Sequence, residues 1–353
     1  MTQKKYALDD DLCLLKEALE KLLAWYLVSA RDLPWRKTTD PYKIWISEIM
    51  LQQTRVEAVK EYYARFLGEL PDIGSLADAT EEQVLKLWEG LGYYSRARNL
   101  KKAAEVIVSE YDGVFPSRWE QIRKLPGIGD YTAGSISSIA FGLPYPAVDG
   151  NVLRVVSRLL NSFDDITEQK TKTKMTDMLK QVYPAQNCSE VTQSLMELGA
   201  IICIPNGQPK CEECPLQSLC RANCLGTVSE LPVKKGKAKR KIQPKTVFLL
   251  QCGDEYAIQK REEKGLLYGM WQLPNCDGHW SVKEIRQQFF NSKSVKKLDF
   301  YRHIFTHIEW EMMGYHIIVE EKNSDYLWKT AEEIRENYAI PGAFRPFLKA
   351  MKT

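Results

Sequence analysis

No stretch of this 353-residue chain is apolar for long enough to read as a membrane span. Its longest uncharged run, Tyr131 to Val148, is broken by Gly134, Gly142, Pro144 and Pro146 and carries three serines. A secretory signal is not expected either, because Asp9, Asp10 and Asp11 come early and Lys16, Glu17, Glu20 and Lys21 interrupt the next apolar stretch. A large charge of one sign is also lacking: 49 Lys and Arg stand against 46 Asp and Glu, a net +3. The overall balance therefore neither argues for a polyanionic partner nor excludes one. No repeat of fixed period is present, which excludes a solenoid or propeller. Cysteine, by contrast, is plentiful: there are nine, and five fall between Cys203 and Cys224. An odd number of cysteines without a secretion signal points to a reducing compartment. The expectation is a cytoplasmic protein, nucleoid-associated if bacterial.

The length suggests two domains. Residues 9 to 225 read almost wholly as helices: Leu12, Leu15, Leu19, Leu22, Leu23 and Tyr26 recur at three- and four-residue spacing behind an acidic start. Asp40-Pro41 is an N-cap with proline at the first helical position, and Thr80–Gln83 and Ser117–Glu120 both match capping boxes. Residues 93–111 predict another long helix. After Cys224 the character changes. Seven Lys or Arg fall between residues 234 and 245, a pattern that predicts a solvated linker. Residues 246–252, 255–259, 299–307 and 315–320 are rich in β-branched and aromatic side chains and predict strands, with helices near 281–290, 330–338 and 342–352. A mainly α domain followed by a smaller α+β domain is the expected fold class.

Cys203-x7-Cys211-x2-Cys214-x5-Cys220 places four thiols within 18 positions. Thiolates so close repel and oxidise unless a metal holds them. Four-cysteine sites serve zinc or an iron–sulfur cluster. A zinc ribbon pairs two Cys-x2-Cys knuckles, whereas here there is one, followed by Pro215, so the spacing fits a cubane cluster better. Cys13, Cys188, Cys252 and Cys276 read as ordinary small buried residues. Cys224 is an alternative to Cys220.

Leu125-Pro126-Gly127-Ile128-Gly129-Asp130 lies between two helical patterns. Two glycines two apart allow a tight hairpin whose amides, at the start of a helix, bind a phosphate without reading base sequence. Taken alone, Gly127, Ile128 and Gly129 could equally form an ordinary turn. Asp149 precedes a helical run and is as well explained by an N-cap as by chemistry. Glu48 lies among Ile46, Ile49, Met50 and Leu51. An acid buried in such company has its pKa raised, as a general acid requires near neutral pH, although an exposed helix face is the plainer alternative.

Glu48 in Ser47-Glu48-Ile49-Met50-Leu51-Gln52-Gln53-Thr54, the hairpin 125–129, Asp149-Gly150-Asn151 and the cysteines follow the order found in helix-hairpin-helix DNA glycosylases. From about residue 9 to the C-terminus the chain resembles the MutY-type adenine DNA glycosylases of the endonuclease III-like superfamily. Leu51-Gln52-Gln53-Thr54 and Tyr131 select that branch. The resemblance implies a two-lobed catalytic domain over 1–225, with a six-helix lobe (30–144) carrying the hairpin and a cluster lobe (1–29 and 145–225). A linker (226–245) and an 8-oxoguanine recognition domain (246–353) would follow. It implies one [4Fe–4S] cluster on Cys203, Cys211, Cys214 and Cys220, and duplex DNA with adenine opposite 8-oxoguanine as partner, bound by a monomer.

By the same resemblance Glu48 is the acid that protonates the departing adenine, Asp149 the stabilising carboxylate, and Tyr131 and Asn151 their supports. Arg31, Trp35, Arg36 and Gln193 match the adenine pocket, and Gln53, Thr54, Leu91 and Tyr93 match residues that enter the duplex. The first cysteine gap is one residue longer than the family pattern, so the loop from Ile204 to Lys210 must bulge. In the lyase branch, resembling endonuclease III, a lysine stands where this chain has Tyr131, and no lysine occurs from 125 to 169. A monofunctional glycosylase is therefore expected over a glycosylase/lyase for oxidised pyrimidines. A non-enzymatic cluster-bearing DNA-binding protein would not need Glu48 and Asp149.

The C-terminal domain resembles the Nudix fold of MutT, most closely over Gly265–Pro274, but residues 275–282 lack the Arg-Glu-x-x-Glu-Glu metal box. A recognition module using Phe305, Thr306 and His307 is expected instead of a nucleotide hydrolase. Thr306 stands where many relatives carry serine, keeping the hydroxyl and adding a methyl.

Overall fold

The computed structural model describes residues 8–236, 240–262 and 265–351. By internal contacts the chain separates into two units: Met1–Asp78 with Lys102–Gly236, and Ala79–Lys101 with Lys237–Thr353. Lys237 and Lys239 of the basic segment lie outside the described residues. No described helix is long and apolar enough to cross a membrane.

The first half is helical. In chain order the helices are α1 (Leu8–Ser29), α2 (Pro41–Leu51), α3 (Val56–Glu69), α4 (Ile73–Asp78), α5 (Glu81–Leu87) and α6 (Ser95–Glu110). They continue with α7 (Trp119–Ile122), α8 (Asp130–Phe141), α9 (Gly150–Leu160), α10 (Gln169–Val182), α11 (Cys188–Ile201) and α12 (Arg221–Leu225). Asp40 caps α2 by accepting from the Tyr42 amide at 2.9 Å, with Pro41 at the first position. Thr80 and Gln83 form the expected capping box on α5. The box expected at Ser117–Glu120 does not form. There α7 starts one residue late, with Arg118 at the N-cap and no side-chain cap bond, so Glu120 falls at the second helical position instead of the third.

In the first unit, α1, α9, α10 and α11 share a core that includes Leu15, Leu19, Leu22, Val152, Val156, Leu159, Met175, Leu179, Leu195 and Leu198. The three- and four-residue spacing read in α1 is the face it buries there. Elsewhere in this unit α2 packs on α8 and α3. The expected hairpin is present: Gly127 takes φ 76°, and the Ile128 amide donates to the Leu125 carbonyl at 3.1 Å before α8 begins behind Gly129.

The second unit is built on a sheet with strands β1 (Lys241–Cys252), β2 (Glu255–Lys260), β3 (Trp271–Gln272), β4 (Asn275–Asp277), β5 (Ser292–Ile304), β6 (Ile308–Val319) and β7 (Leu327–Thr330). Their order is β3-β2-β1-β6-β5, with β4 paired to β1 and β7 to β2. β1 and β6 run parallel and the other pairs antiparallel. Alternation along β1 sends Val247 and Leu249 into one apolar cluster and Phe248 and Leu250 into another. Ile334 of α14 (Ala331–Asn337) and Phe347 of α15 (Arg345–Leu348) belong to the first cluster, and Ile285 of α13 (Val282–Gln288) to the second. A central strand covered on both faces explains why Thr246–Leu250 reads as one unbroken hydrophobic run.

Three differences from the sequence reading have simple causes. β3, β4 and β7 are only two to four residues long, too short to show a period. β5 begins at Ser292, not near Asp299, because an edge strand tolerates the lysines at 293, 296 and 297. β1 begins at Lys241, inside the segment read as linker. Lys245 is 9% exposed there, beside Asp277 and 5.3 Å from the Trp310 ring centre, so partners replace its solvent.

One glycine decides how closely the hairpin helix seats. A Cβ on Gly134 would lie 2.5 Å from the Pro146 carbonyl oxygen, which is backbone and cannot rotate away. Gly134→Ala is expected to destabilise the first unit by about 1–3 kcal/mol, read as a lower midpoint in urea unfolding.

Candidate active site

Nine of the residues singled out in the helical half line one cavity of about 180 Å³ in the first unit. Its wall includes Glu48, Tyr131, Asp149 and Asn151, together with Arg31, Trp35, Arg36, Gln193 and Thr54. A volume well below the roughly 300–1,000 Å³ of most ligand pockets suits a single heterocyclic base.

Glu48 sits in the middle of α2 and is 5% exposed, so the exposed-face alternative fails. Burial raises its pKa, and the nearby Asp149 charge adds to that rise, while the hydroxyl of Tyr131, donating to Oε2 at 2.8 Å, pulls the other way. Tyr131 is held protonated, its own pKa driven well up by burial and by the two carboxyl groups.

For Asp149 both readings hold. It is the N-cap of α9, accepting from the amides of Asn151 at 2.9 Å and Val152 at 2.8 Å, and the same carboxylate lines the cavity. Its second oxygen accepts from Asn151 Nδ2 at 2.7 Å, and Asn151 Oδ1 in turn accepts from Arg154 at 2.9 Å. Burial raises the Asp149 pKa against the pull of the amide donors. Asp149 has three N–H donors to spread its charge, while Glu48 has the Tyr131 hydroxyl with Ser135 close by. α11 supports this arrangement through a close approach: a Cβ on Gly199 would lie 2.6 Å from Asn151 Cβ.

Sequence reasoning missed Glu197. It is fully buried on α11, where its carboxylate accepts from Arg31 Nε at 2.7 Å, Arg31 Nη2 at 2.6 Å and Arg36 Nη2 at 2.7 Å. Burial would raise its pKa, but the hydrogen bonds from Arg31 and Arg36 win and hold it at about 2. The signal was available, since Glu197 lies in Leu195-Met196-Glu197-Leu198, the same acid-among-apolar pattern as Glu48. Gln193, one turn earlier, accepts from Tyr26 at 3.0 Å and donates to Ser189 at 2.9 Å. Trp35 is buried edge-on to Tyr63, with ring centres 5.5 Å apart.

Other expected site residues lie elsewhere. Gln53 follows α2 with φ 58°. At the hairpin, Ile128 is buried and its amide serves the turn, so an outside anion would meet the flanking glycine backbone and the first turn of α8. In the second unit, Tyr93, Phe305, Thr306 and His307 line a cavity of about 470 Å³, where the Tyr93 and Thr306 hydroxyls share a hydrogen bond of 3.0 Å. Leu91 is buried, which leaves Tyr93, 45% exposed and at φ 50°, as the projecting member of that pair. Just past the segment that would hold a Nudix metal box, Glu284 is spent on a capping box with Ser281.

Cys203, Cys211, Cys214 and Cys220 border one small cavity in the first unit with Arg158. The Ile204–Lys210 loop bends at Gly207, φ 80°, and is closed by the Lys210 amide on the Ile202 carbonyl. Arg158, itself buried, donates to Cys203 Sγ at 3.2 Å, and Arg154 donates to the Cys203 carbonyl at 2.7 Å. Burial pushes the Cys214 thiol up to about 12 and raises Cys211 and Cys220, so these sulfurs become thiolates only if cations replace their protons. Among the described residues no three His, Cys, Asp or Glu side chains are arranged to hold a single metal ion. Four thiols around one cavity beside a buried arginine are a donor set that a metal cofactor could take.

The chain matches the model for the HhH-GPD superfamily base excision DNA repair protein over residues 46–181 and that for the NUDIX domain over residues 246–350. With the hairpin and the buried acid beside it, this defines a helix-hairpin-helix base excision glycosylase carrying a Nudix-like domain. The adenine DNA glycosylase of Buchnera aphidicola (subspecies Schizaphis graminum) is 36% identical over 290 residues, covering 81% of this chain and 83% of its own length. The human adenine DNA glycosylase is 40% identical over 321 residues, covering 76% of this chain and 58% of its own. The chain belongs to the adenine DNA glycosylase family. Among solved structures, a thermostable thymine-DNA glycosylase superposes with a TM-score of 0.55 at 29% identity, over 60% of this chain and 98% of the other.

Glu197 ties Arg31 and Arg36 to α11, and its loss strands two guanidinium groups. Glu197→Gln is expected to cost about 3 kcal/mol at neutral pH. Because the folded-state pKa, about 2, lies below the ordinary 4.5, this contribution is complete above pH 4.5 and vanishes as pH falls through 2. Urea titrations of both proteins between pH 7 and pH 2 should converge toward the acid end.

Proposed function

We propose that the chain is a monofunctional DNA glycosylase that hydrolyses adenine paired with 8-oxoguanine, or less readily with guanine. The observation that carries this reading is the buried, tyrosine-held Glu48 sharing a base-sized cavity with Asp149. A base within a duplex is out of reach, so the adenosine must swing out into that cavity. Cleavage then leaves negative charge on the departing base and positive charge on the sugar, the problem that paired carboxyl groups solve in glycoside hydrolysis. Glu48, neutral because it is buried, gives its proton to the adenine ring at N7. Asp149, ionised at the N-terminus of α9, stabilises the oxocarbenium-like sugar, and Asn151 holds Asp149 in place. Arg31, Trp35, Arg36 and Gln193 enclose the base. No lysine lines the described cavity and Tyr131 occupies the lyase-lysine position, which supports hydrolysis without strand cleavage.

In this reading Phe305, Thr306 and His307 judge the opposite base together with Tyr93, while Gln53, Thr54 and Leu91 support the opened duplex. Gly127, Ile128 and Gly129 seat a phosphate at the hairpin. Cys203, Cys211, Cys214 and Cys220 hold one [4Fe–4S] cluster, which cross-links the α11–α12 segment. The partner is a duplex bound by a monomer, at the nucleoid if the source is bacterial.

Incubation with an adenine:8-oxoguanine duplex is expected to release free adenine and leave the strand uncut until alkali is added. Glu48→Gln should lower single-turnover release by about 10²–10⁴-fold with duplex binding retained. Efficient nicking without alkali, with a borohydride-trapped adduct, would show a lyase instead. Metal analysis of the purified chain should find about four irons and no stoichiometric zinc, with the iron lost on replacing Cys214 by serine.

A further inference from the structure

Ser135 lies one helical turn after Tyr131 on α8, so both hydroxyls are carried on the face of that helix next to α2. It is completely buried, and its Oγ meets no partner in hydrogen-bonding geometry among the described residues. It is nevertheless close enough to Glu48 to favour that group's charged form. A buried serine in a helix ordinarily turns back onto the carbonyl four residues earlier, and this one does not. A close helix contact explains the small size of the residue, but alanine would meet that need without burying an unsatisfied hydroxyl.

We propose that Ser135 is a positioning residue for Glu48: its hydroxyl rotates onto the carboxylate that Glu48 becomes after giving its proton to adenine. This rests on the reading of Glu48 as the acid. In that step the Glu48 O–H bond breaks and its proton bonds to adenine N7. The C1′–N9 bond breaks with its electron pair going to the base, and Glu48 is left as an anion. Tyr131 is then the donor already placed on that charge, and one rotation about χ1 of Ser135 supplies a second. The other charged groups near Glu48 are Asp149 at the start of α9, Arg36 and Arg31 on the segment before α2, and Glu197 on α11. Among these Asp149 opposes the anion, and the two arginines are engaged by Glu197.

The test is the pH dependence of single-turnover adenine release by the full chain and by Ser135→Ala and Ser135→Cys. Activity that needs protonated Glu48 falls as pH rises through its pKa. Removing a donor to the anion should therefore move this basic limb upward by about one pH unit and lower the plateau rate about tenfold. Cysteine, near in size but a weak donor, should fall between alanine and serine. The melting temperature of Ser135→Ala should be unchanged or higher, since an unsatisfied buried hydroxyl is removed. A limb that stays in place overturns the inference, as does a slower plateau accompanied by lost stability and an unmoved limb. Absence of adenine release by the unaltered chain overturns instead the reading on which the inference rests.

Discussion

The hydrogen bond from Tyr131 to Glu48 links the two helices on which the candidate site depends. Glu48 stands in an apolar stretch of α2, and a carboxyl group there must stay protonated or be supplied with donors. Tyr131 supplies a hydrogen bond at 2.8 Å, from a helix whose position is set by the hairpin before it and by the contact of Gly134 with Pro146. Packing that looks generic, helix on helix, thus leaves an acid with a raised pKa at a cavity wall. The same desolvation that makes Glu48 costly to the fold is what raises its pKa, a common relation at sites where one local rule is broken.

Two other carboxylates carry more than one duty. Asp149 satisfies the first amides of α9, as any N-cap does, and in doing so is held facing the cavity with its charge supported. Glu197 neutralises two arginines that line the pocket and binds the segment before α2 to α11. Structural and chemical roles coincide here because buried charge needs fixed partners, and fixed partners are also what a site needs to hold its geometry.

The Nudix-like unit is built around one central strand. Its central parallel pair is buried on both faces, and its helices cover the two apolar clusters. Just past the segment that would carry a metal box, Glu284 is spent on capping α13. Among its described cavities is one lined by Phe305, Thr306 and His307 together with Tyr93.

The sequence alone determined the helical half and its α+β companion. The periodicity of α1, the caps at Asp40 and Thr80, and the hairpin glycines are local, and local chemistry is legible in order along the chain. The cysteine spacing and the acid at Glu48 were legible for the same reason, helped by a resemblance that supplied roles no spacing could. The capping box at Ser117 failed because one residue of helix register separates a cap from a bystander. β3, β4 and β7 escaped because they are too short to show a period, and Lys245 looked solvated because its partners, Asp277 and Trp310, are distant in sequence. Tertiary structure alone decided that Glu48 is buried, that Asp149 both caps and faces the cavity, and that Glu197 gathers Arg31 and Arg36. Each of these depends on which helix faces lie against one another, and burial, which shifts a pKa, is a property of that arrangement and not of any one segment.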